Sequence, residues 1–347
     1  MDGLYDMDLA QLEGLMESMG EKPFRAKQLF SWLYKGIPPA EMGNLPKQLR
    51  EKLEAYPLHG VQMEQKLVSN DGTTKYLFLL FDGNIIESVY MTYKYGGTLC
   101  ISTQAGCRMG CAFCASTIGG LKRNLSAGEM AAQCVAVEKD KSALAKDGGR
   151  AVTNIVMMGC GEPLDNYDNA IRFLHLISAP GGMGVSPRNI SLSTCGLAPQ
   201  IIRLAKEKLP VTLCISLHAA DDETRQKIMP AARAYPIAEI LEAVRFYIRE
   251  TGRRVIFEYA PIKGLNDSEE DAAKLCSILK NLQCHVNLIS LNPVEETCLQ
   301  GSEARRTEAF SGWLSKGGLS VTIRRSLGQD IQGACGQLRR SYIKGNI

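Results

Sequence analysis

From Thr98 onward, short apolar runs alternate with helical stretches, and this alternation most narrowly limits the fold. Six runs read as strands, at 98–103, 153–158, 189–194, 211–217, 254–260 and 285–291. Helical periodicity fills 167–178, 197–208, 237–250 and 268–281, and Ser126-Ala127-Gly128-Glu129 reads as a capping box opening a further helix. The strand runs are apolar throughout, the pattern of a parallel sheet covered on both faces. Six βα units in series predict an α/β fold, a partial or complete barrel over 98–325.

Upstream, residues 1–57 read as a helical module. Leu9, Leu12 and Leu15 recur at helical spacing, Phe24, Leu29, Leu33 and Tyr34 mark a second helix ending at Gly36, and a third runs from Lys47 to Ala55. So small a module is expected to pack on its neighbour. Residues 58–97 change to a strand period, with turns at Asn70-Asp71-Gly72 and Asp82-Gly83, and read as a β meander. Residues 326–347 form a tail whose last nine residues carry Arg339, Arg340 and Lys344 and no acid.

No apolar run approaches the ~20 residues of a membrane helix. The start, MDGLYDMDLAQLEGL, lacks the basic and apolar regions of a signal peptide. With 40 Lys+Arg against 37 Asp+Glu, the net charge of +3 is too mild to announce nucleic-acid binding. Twelve cysteines without an export signal imply a reducing, cytoplasmic setting, where thiols are buried, metal-binding or catalytic.

Function in such barrels gathers at the C-terminal ends of the strands. Those ends read Gly106-Cys107, Gly159-Cys160-Gly161-Glu162-Pro163, Ser193-Thr194, Ser216-Leu217-His218, Ala260-Pro261 and Asn292-Pro293. The first loop adds Cys111 and Cys114 to Cys107. Zinc sites usually take CxxC pairs and four ligands, and no second pair exists. Three thiolates on one loop suit three irons of a cubane cluster, with the fourth iron left to a non-protein ligand. Phe113 stands where it could shield that cluster from water. Cys134, Cys160, Cys195, Cys214, Cys276, Cys284 and Cys298 lack ligand spacing and read as structural, although Cys160 and Cys195 adjoin the rim motifs.

The CxxxCxxC loop resembles the signature of the radical S-adenosylmethionine (SAM) superfamily, and Gly161-Glu162-Pro163 resembles its GGEP motif. The strings GCRMGCAFCASTIGGLKRNLSAGE, MMGCGEPLDN, LSTCG, SLHA and ACGQL, with the N-terminal FRAKQLFSWLYKG, are similar to the RlmN/Cfr family over the whole chain. These are radical SAM enzymes that methylate C2 or C8 of adenosine in RNA. The resemblance implies a partial (β/α)6 barrel, a 4Fe–4S cluster on Cys107, Cys111 and Cys114, and SAM held by Gly161, Glu162, Ser193, Ser216, Leu217, His218 and Asn292. It also implies a methyl relay, because C2 of adenine has no lone pair to attack SAM. Cys335 takes a methyl group from one SAM. A radical from a second SAM removes a hydrogen from that methyl, which then adds to C2. Glu87 accepts the C2 proton, and Cys100 resolves the protein–RNA thioether through a transient disulfide.

The closer likeness is to the C2 branch acting on 23S rRNA and tRNA, with flavodoxin or ferredoxin as electron donor and a monomeric enzyme; the C8 branch, which confers antibiotic resistance, is the alternative. Taken by themselves, Cys100 reads equally as a buried strand thiol, Glu87 as a solvent-facing meander residue and His218 as a core histidine. Candidate RNA contacts are Arg25, Lys27 and Lys35 in the helical module, Lys122 and Arg123 after the cysteine loop, and Arg324, Arg325, Arg339 and Arg340 near the tail. The module of residues 1–57 is the expected RNA-binding accessory, and the target base must leave its stack to reach a barrel mouth.

Overall fold

A computed structural model describes residues 3–145, 149–294 and 296–338; Arg339, Arg340 and Lys344 lie outside the described residues. The helical segment comprises α1 (Leu9–Ser18), α2 (Phe24–Leu33) and α3 (Lys47–Glu54). Asp8 caps α1 by accepting from the Gln11 amide at 2.9 Å, while the Gln11 side chain accepts from the Asp8 amide. Leu12, Leu29, Leu33, Leu49 and Leu53 form one apolar face.

The meander follows as β1 (Gln62–Val68), β2 (Thr74–Leu79) and β3 (Ile85–Tyr93), antiparallel in sequence order, with β4 (Gly96–Cys100) antiparallel to β3. Gly72 and Gly83 supply the left-handed turns at φ +85° and +80°. The meander and the βα units are one sheet, because β4 also pairs in parallel with β7 (Val152–Met157). Between them lie a short hairpin, β5 (Gln104–Ala105) and β6 (Arg123–Asn124), and α4 (Ala127–Lys141). The Ser126–Glu129 capping box forms as the sequence predicts.

The sheet continues through β8 (Ile190–Thr194), β9 (Thr212–Ser216), β10 (Val255–Tyr259), β11 (Cys284–Ile289) and β12 (Val321–Arg324). Intervening helices are α5 (Tyr167–Ser178), α6 (Ala198–Lys206), α7 (Asp222–Ile228), α8 (Ile237–Thr251), α9 (Glu269–Leu279) and α10 (Ala304–Lys316). Among the described residues β1 and β12 are the free ends of the ten-strand order, so the barrel is partial. It has seven parallel strands where the sequence predicts six. β12 was hidden because Val-Thr-Ile-Arg is short and half-exposed, with no apolar run to mark it. Nor are all strands buried on both faces: β8 alternates buried and half-exposed residues, and its half-exposed side chains include Ser193 on the cleft wall.

Candidate active site

The parallel strands end on a cleft of about 1060 Å³. Its walls bring together Cys107, Cys111, Cys114, Gly161, Glu162, Ser193, Ser216, His218, Asn292 and Cys335, ten of the residues singled out in the sequence. The cysteine loop leaves β5 and returns through β6. Gly106 at its start has φ +83°, and a Cβ there would run into the Gly120 carbonyl, so glycine lets the two ends of the loop cross. Cys107 is buried; Cys111 and Cys114 are half-buried. Burial, with the neighbouring Cys114, pushes the Cys107 thiol up to about 12 against a hydrogen bond from Met109. Phe113 lines the same cleft, packed edge-on against His218 at 5.0 Å.

No three His, Cys, Asp or Glu side chains among the described residues converge as ligands of a single metal ion. A cubane cluster does not require that, since each thiolate binds a different iron. Three thiols on one loop facing one cavity fit such a group. Two further thiols line the cleft, Cys195 after β8 and Cys335 in the tail, neither of them on that loop.

The turn after β7 is moulded against the segment after β4. A Cβ on Gly159 would lie 2.6 Å from the Ile101 carbonyl oxygen, and one on Gly161, at φ +111°, would lie 2.7 Å from Gln104 Cβ. Glu162 is buried and turned into the protein: its carboxylate accepts from the Cys195 amide at 2.7 Å and the Leu164 amide at 3.0 Å. Its own amide donates to Gln104 Oε1 at 2.9 Å. Burial raises the Glu162 pKa, and the two amides oppose that rise. Glu162 therefore joins the β7 and β8 ends, and Gly161 forms the surface.

Ser193 and Ser216, neighbours across β8 and β9, place their hydroxyls 3.4 Å apart in the cleft wall. His218, at φ +57°, accepts from the Ala260 amide through Nδ1 at 3.0 Å. An amide can only donate, so Nδ1 is unprotonated and the neutral ring carries its hydrogen on Nε2. Burial, with the Arg225 cation, lowers the His218 pKa to about 3, which keeps the ring neutral. Leu217 is fully buried and does not line the cleft; its backbone serves instead, donating to the Glu258 carbonyl and accepting from Arg225.

Several structural supports are invisible in the sequence. Arg225, fully buried, donates to the carbonyls of Leu217, Tyr235 and Cys195. It sits within Asp-Glu-Thr-Arg-Gln-Lys, which reads as a solvated charge run. Asn266 ties the His218 and Ala260 carbonyls together. Glu258 lines the cleft with Oε1 near Arg324 at 3.8 Å and Oε2 without a hydrogen-bond partner among the described residues. Arg324 is thus part of the cleft wall, and Arg123 is fixed by Asp82 and Glu129, so neither is a free surface cation. Lys27, Lys35, Lys122 and Arg325 are exposed, and Arg25 is engaged with Gln28 and the Asn44 carbonyl.

Cys335 belongs to two cavities at once. It lines the cleft and also a second cavity of about 600 Å³ that contains Cys100, Tyr93, Met158, Arg324 and Leu338. Its residue surface is exposed, but into these hollows. Surrounding protein pushes the thiol up to about 11 against the pull of Arg324. Cys100 is buried in an apolar cluster with Val89 and Leu338, and that burial raises it to about 12. Both are free thiols. Glu87 is not solvent-facing: it is buried, paired with the equally buried Lys75 at 2.8 Å, and lines neither cavity. Of the remaining cysteines, Cys195 lines the cleft, Cys134, Cys160 and Cys214 are buried, Cys276 and Cys284 half-buried, and Cys298 exposed.

Comparison with known proteins agrees with this fold. Residues 101–276 match the radical SAM superfamily, and residues 3–57 match the ribosomal RNA large subunit methyltransferase N-terminal domain. A probable dual-specificity RNA methyltransferase RlmN from Clostridium tetani is 48% identical, covering 100% of this chain and 98% of the relative. Another from Alkaliphilus oremlandii is 49% identical, covering 98% of each. The crystal structure of a radical SAM methyltransferase from Sphaerobacter thermophilus superposes with a TM-score of 0.94 at 43% identity, covering 98% of this chain and 100% of that one. Radical SAM proteins use a 4Fe–4S cluster and SAM. With the superfamily match over residues 101–276 and full-length relatives at nearly half identity, the chain belongs to the RlmN-type family of radical SAM RNA methyltransferases.

Proposed function

We propose that this enzyme methylates C2 of adenosine in 23S rRNA, at the peptidyl transferase centre, and in tRNA, next to the anticodon, through Cys335. One observation carries the reading: Cys335 stands on the wall shared by the three-thiol cleft and the cavity of Cys100. When bound, the cluster and SAM supply one-electron cleavage chemistry and the methyl carbon. Cys107, Cys111 and Cys114 hold the cluster, while Gly161, Ser193, Ser216, His218 and Asn292 border the SAM, and Leu217 supports that rim from behind. Neutral His218 offers an Nε2 hydrogen to an acceptor and brings no charge.

From the cleft side Cys335 takes the methyl group and carries it to the base. From the other side the Cys100 thiolate attacks the Cys335 sulfur; an S–S bond forms, the sulfur–carbon bond breaks, and its electron pair together with a proton turns the base-bound methylene into the methyl group. Cellular thiols then reduce the disulfide. Glu87 is the proposed acceptor of the C2 proton, and its buried place beside Lys75 means that the base or the strand must shift to meet it. An electron donor of the flavodoxin or ferredoxin kind supplies the reductant. Residues 1–57 and the exposed Lys27, Lys35, Lys122 and Arg325 form the proposed RNA-binding face.

The test is a set of variants made in cells and run on denaturing gels with and without ribonuclease. Cys100→Ala protein should carry covalently bound RNA, and Cys335→Ala protein and the double variant should carry none. An RNA-free Cys100→Ala protein that retains its cluster refutes the relay. Mapping the modified carbon on the RNA separates C2 from C8.

A further inference from the structure

The chain approaches Cys335 through a segment gripped by the β1–β2 turn, some 260 residues earlier in sequence. Asp71 of that turn accepts from the Gly328 amide at 2.8 Å. In return Asp330 of the tail accepts from the Ser69 hydroxyl at 2.6 Å and the Asn70 amide at 3.1 Å. Each side thus contributes one carboxylate to the backbone or hydroxyl of the other. Gly328, at φ +69°, is pressed so closely that a Cβ there would lie 2.9 Å from Thr73 Cγ2. Lys75, buried beneath, donates to the Gln332 carbonyl at 3.2 Å, and Gly333 closes the loop by donating to the Gly328 carbonyl at 2.8 Å.

The far side of Cys335 is held as well. Ala115 donates to the Gly336 carbonyl at 2.8 Å and the Ser116 hydroxyl to that of Leu338 at 2.9 Å, both from the cysteine loop. Between the grips, Asn292 reaches Cys335 itself, donating to its carbonyl at 3.0 Å while accepting from Gln329. A short bridge, Gly333-Ala334-Cys335-Gly336, spans two fixed points over the wall between the cavities.

We propose that the β1–β2 turn anchors the arm that carries Cys335, with Asp71 and Asp330 as positioning residues for methyl transfer. This deepens the relay reading and rests on it. The lock sets where the arm enters, and so where the Cys335 sulfur stands on the wall between the two cavities. Neither aspartate lines the cleft, so they act through the arm.

The experiment compares wild type, Asp330→Ala and Asp330→Asn, each reconstituted with its cluster from unmethylated protein. Hydrogen exchange of peptides covering 328–336 reads the lock, and transfer of labelled methyl from SAM to Cys335 reads its use. Losing two hydrogen bonds to a carboxylate should speed arm exchange by roughly 5- to 30-fold in Asp330→Ala and slow methyl transfer several-fold. Asn keeps one acceptor and should recover much of both. Iron content and exchange in α4 should stay at wild-type values, which a folding defect would not permit. Unchanged arm exchange in Asp330→Ala overturns the anchor. So does faster arm exchange with unaltered methyl transfer. If wild-type Cys335 takes no methyl at all, the relay fails, and the exchange result still decides whether the turn holds the arm.

Discussion

Replacing Arg225 by alanine tests whether the rim is held from behind. The guanidinium is fully buried and donates to the Leu217, Tyr235 and Cys195 carbonyls at 3.1, 3.1 and 2.5 Å. Removing it leaves three carbonyls without that donor, at ~1–3 kcal/mol for each buried group left unsatisfied. It also opens a side-chain-sized void. Losses within one network do not add fully, so a total of about 3–5 kcal/mol is expected. That is a large share of the ~5–15 kcal/mol that ordinarily separates folded from unfolded protein. Arg225→Met, which fills much of the volume and removes the desolvated charge, should cost about half as much. Because Cys195 and Leu217 follow β8 and β9, SAM affinity should fall in both variants while the cysteine loop still takes up iron. Anaerobic urea unfolding followed by circular dichroism, with calorimetric SAM titration, measures these quantities. A loss below ~1 kcal/mol in Arg225→Ala with an unchanged m-value would show that the carbonyls find other donors and that the reasoning is wrong.

Gly161→Ala should weaken SAM binding at least ~10-fold in folded protein, since φ +111° and a Cβ 2.8 Å from the Gln104 amide nitrogen force the turn to move; equilibrium binding checks this, and unaltered affinity rejects it. His218 gives a pH signature. Its folded pKa of about 3 lies below the ordinary 6.5, so the unfolded chain binds the proton first and stability is lost as pH falls from about 6.5 toward 3. The unfolding equilibrium should shift by up to tenfold per pH unit in that window, and His218→Gln should lack this component; identical profiles for the two proteins would refute it.

The parallel strands were legible because buried apolar runs leave a strong trace: 153–158 against Val152–Met157 and 254–260 against Val255–Tyr259 differ by a residue or so at each end. The thiol loop and the polar strand ends were equally plain, as their chemistry is written in residue type. What stayed hidden depends on tertiary partners. Arg225 in a charged stretch becomes buried only because three carbonyls converge on it. That the Glu162 carboxylate ties two loops together depends on amides that no spacing reveals. The solvent-facing alternative for Glu87 falls to its ion pair with the buried Lys75 on the adjoining strand, which no local pattern marks. The tail reads as loose because Gly328, Gly333 and Gly336 punctuate it, yet its hydrogen bonds reach back to a turn near residue 70.

The docking of the N-terminal helices has a consequence for dissecting RNA recognition. Asp6 accepts from the Gly128 amide at 2.7 Å, in the first turn of α4, and Leu4, Leu29 and Leu33 share one apolar cluster with Val135 and Phe173. The helices and the barrel should therefore melt as a single cooperative unit rather than as beads on a string. Cutting the chain after residue 57 would strip a helix start of its acceptor and wet the flank of α4, so lost RNA affinity in such a truncation would report unfolding as readily as lost contacts. Charge reversal at exposed positions such as Lys27 and Lys35 leaves that unit intact and is the cleaner probe.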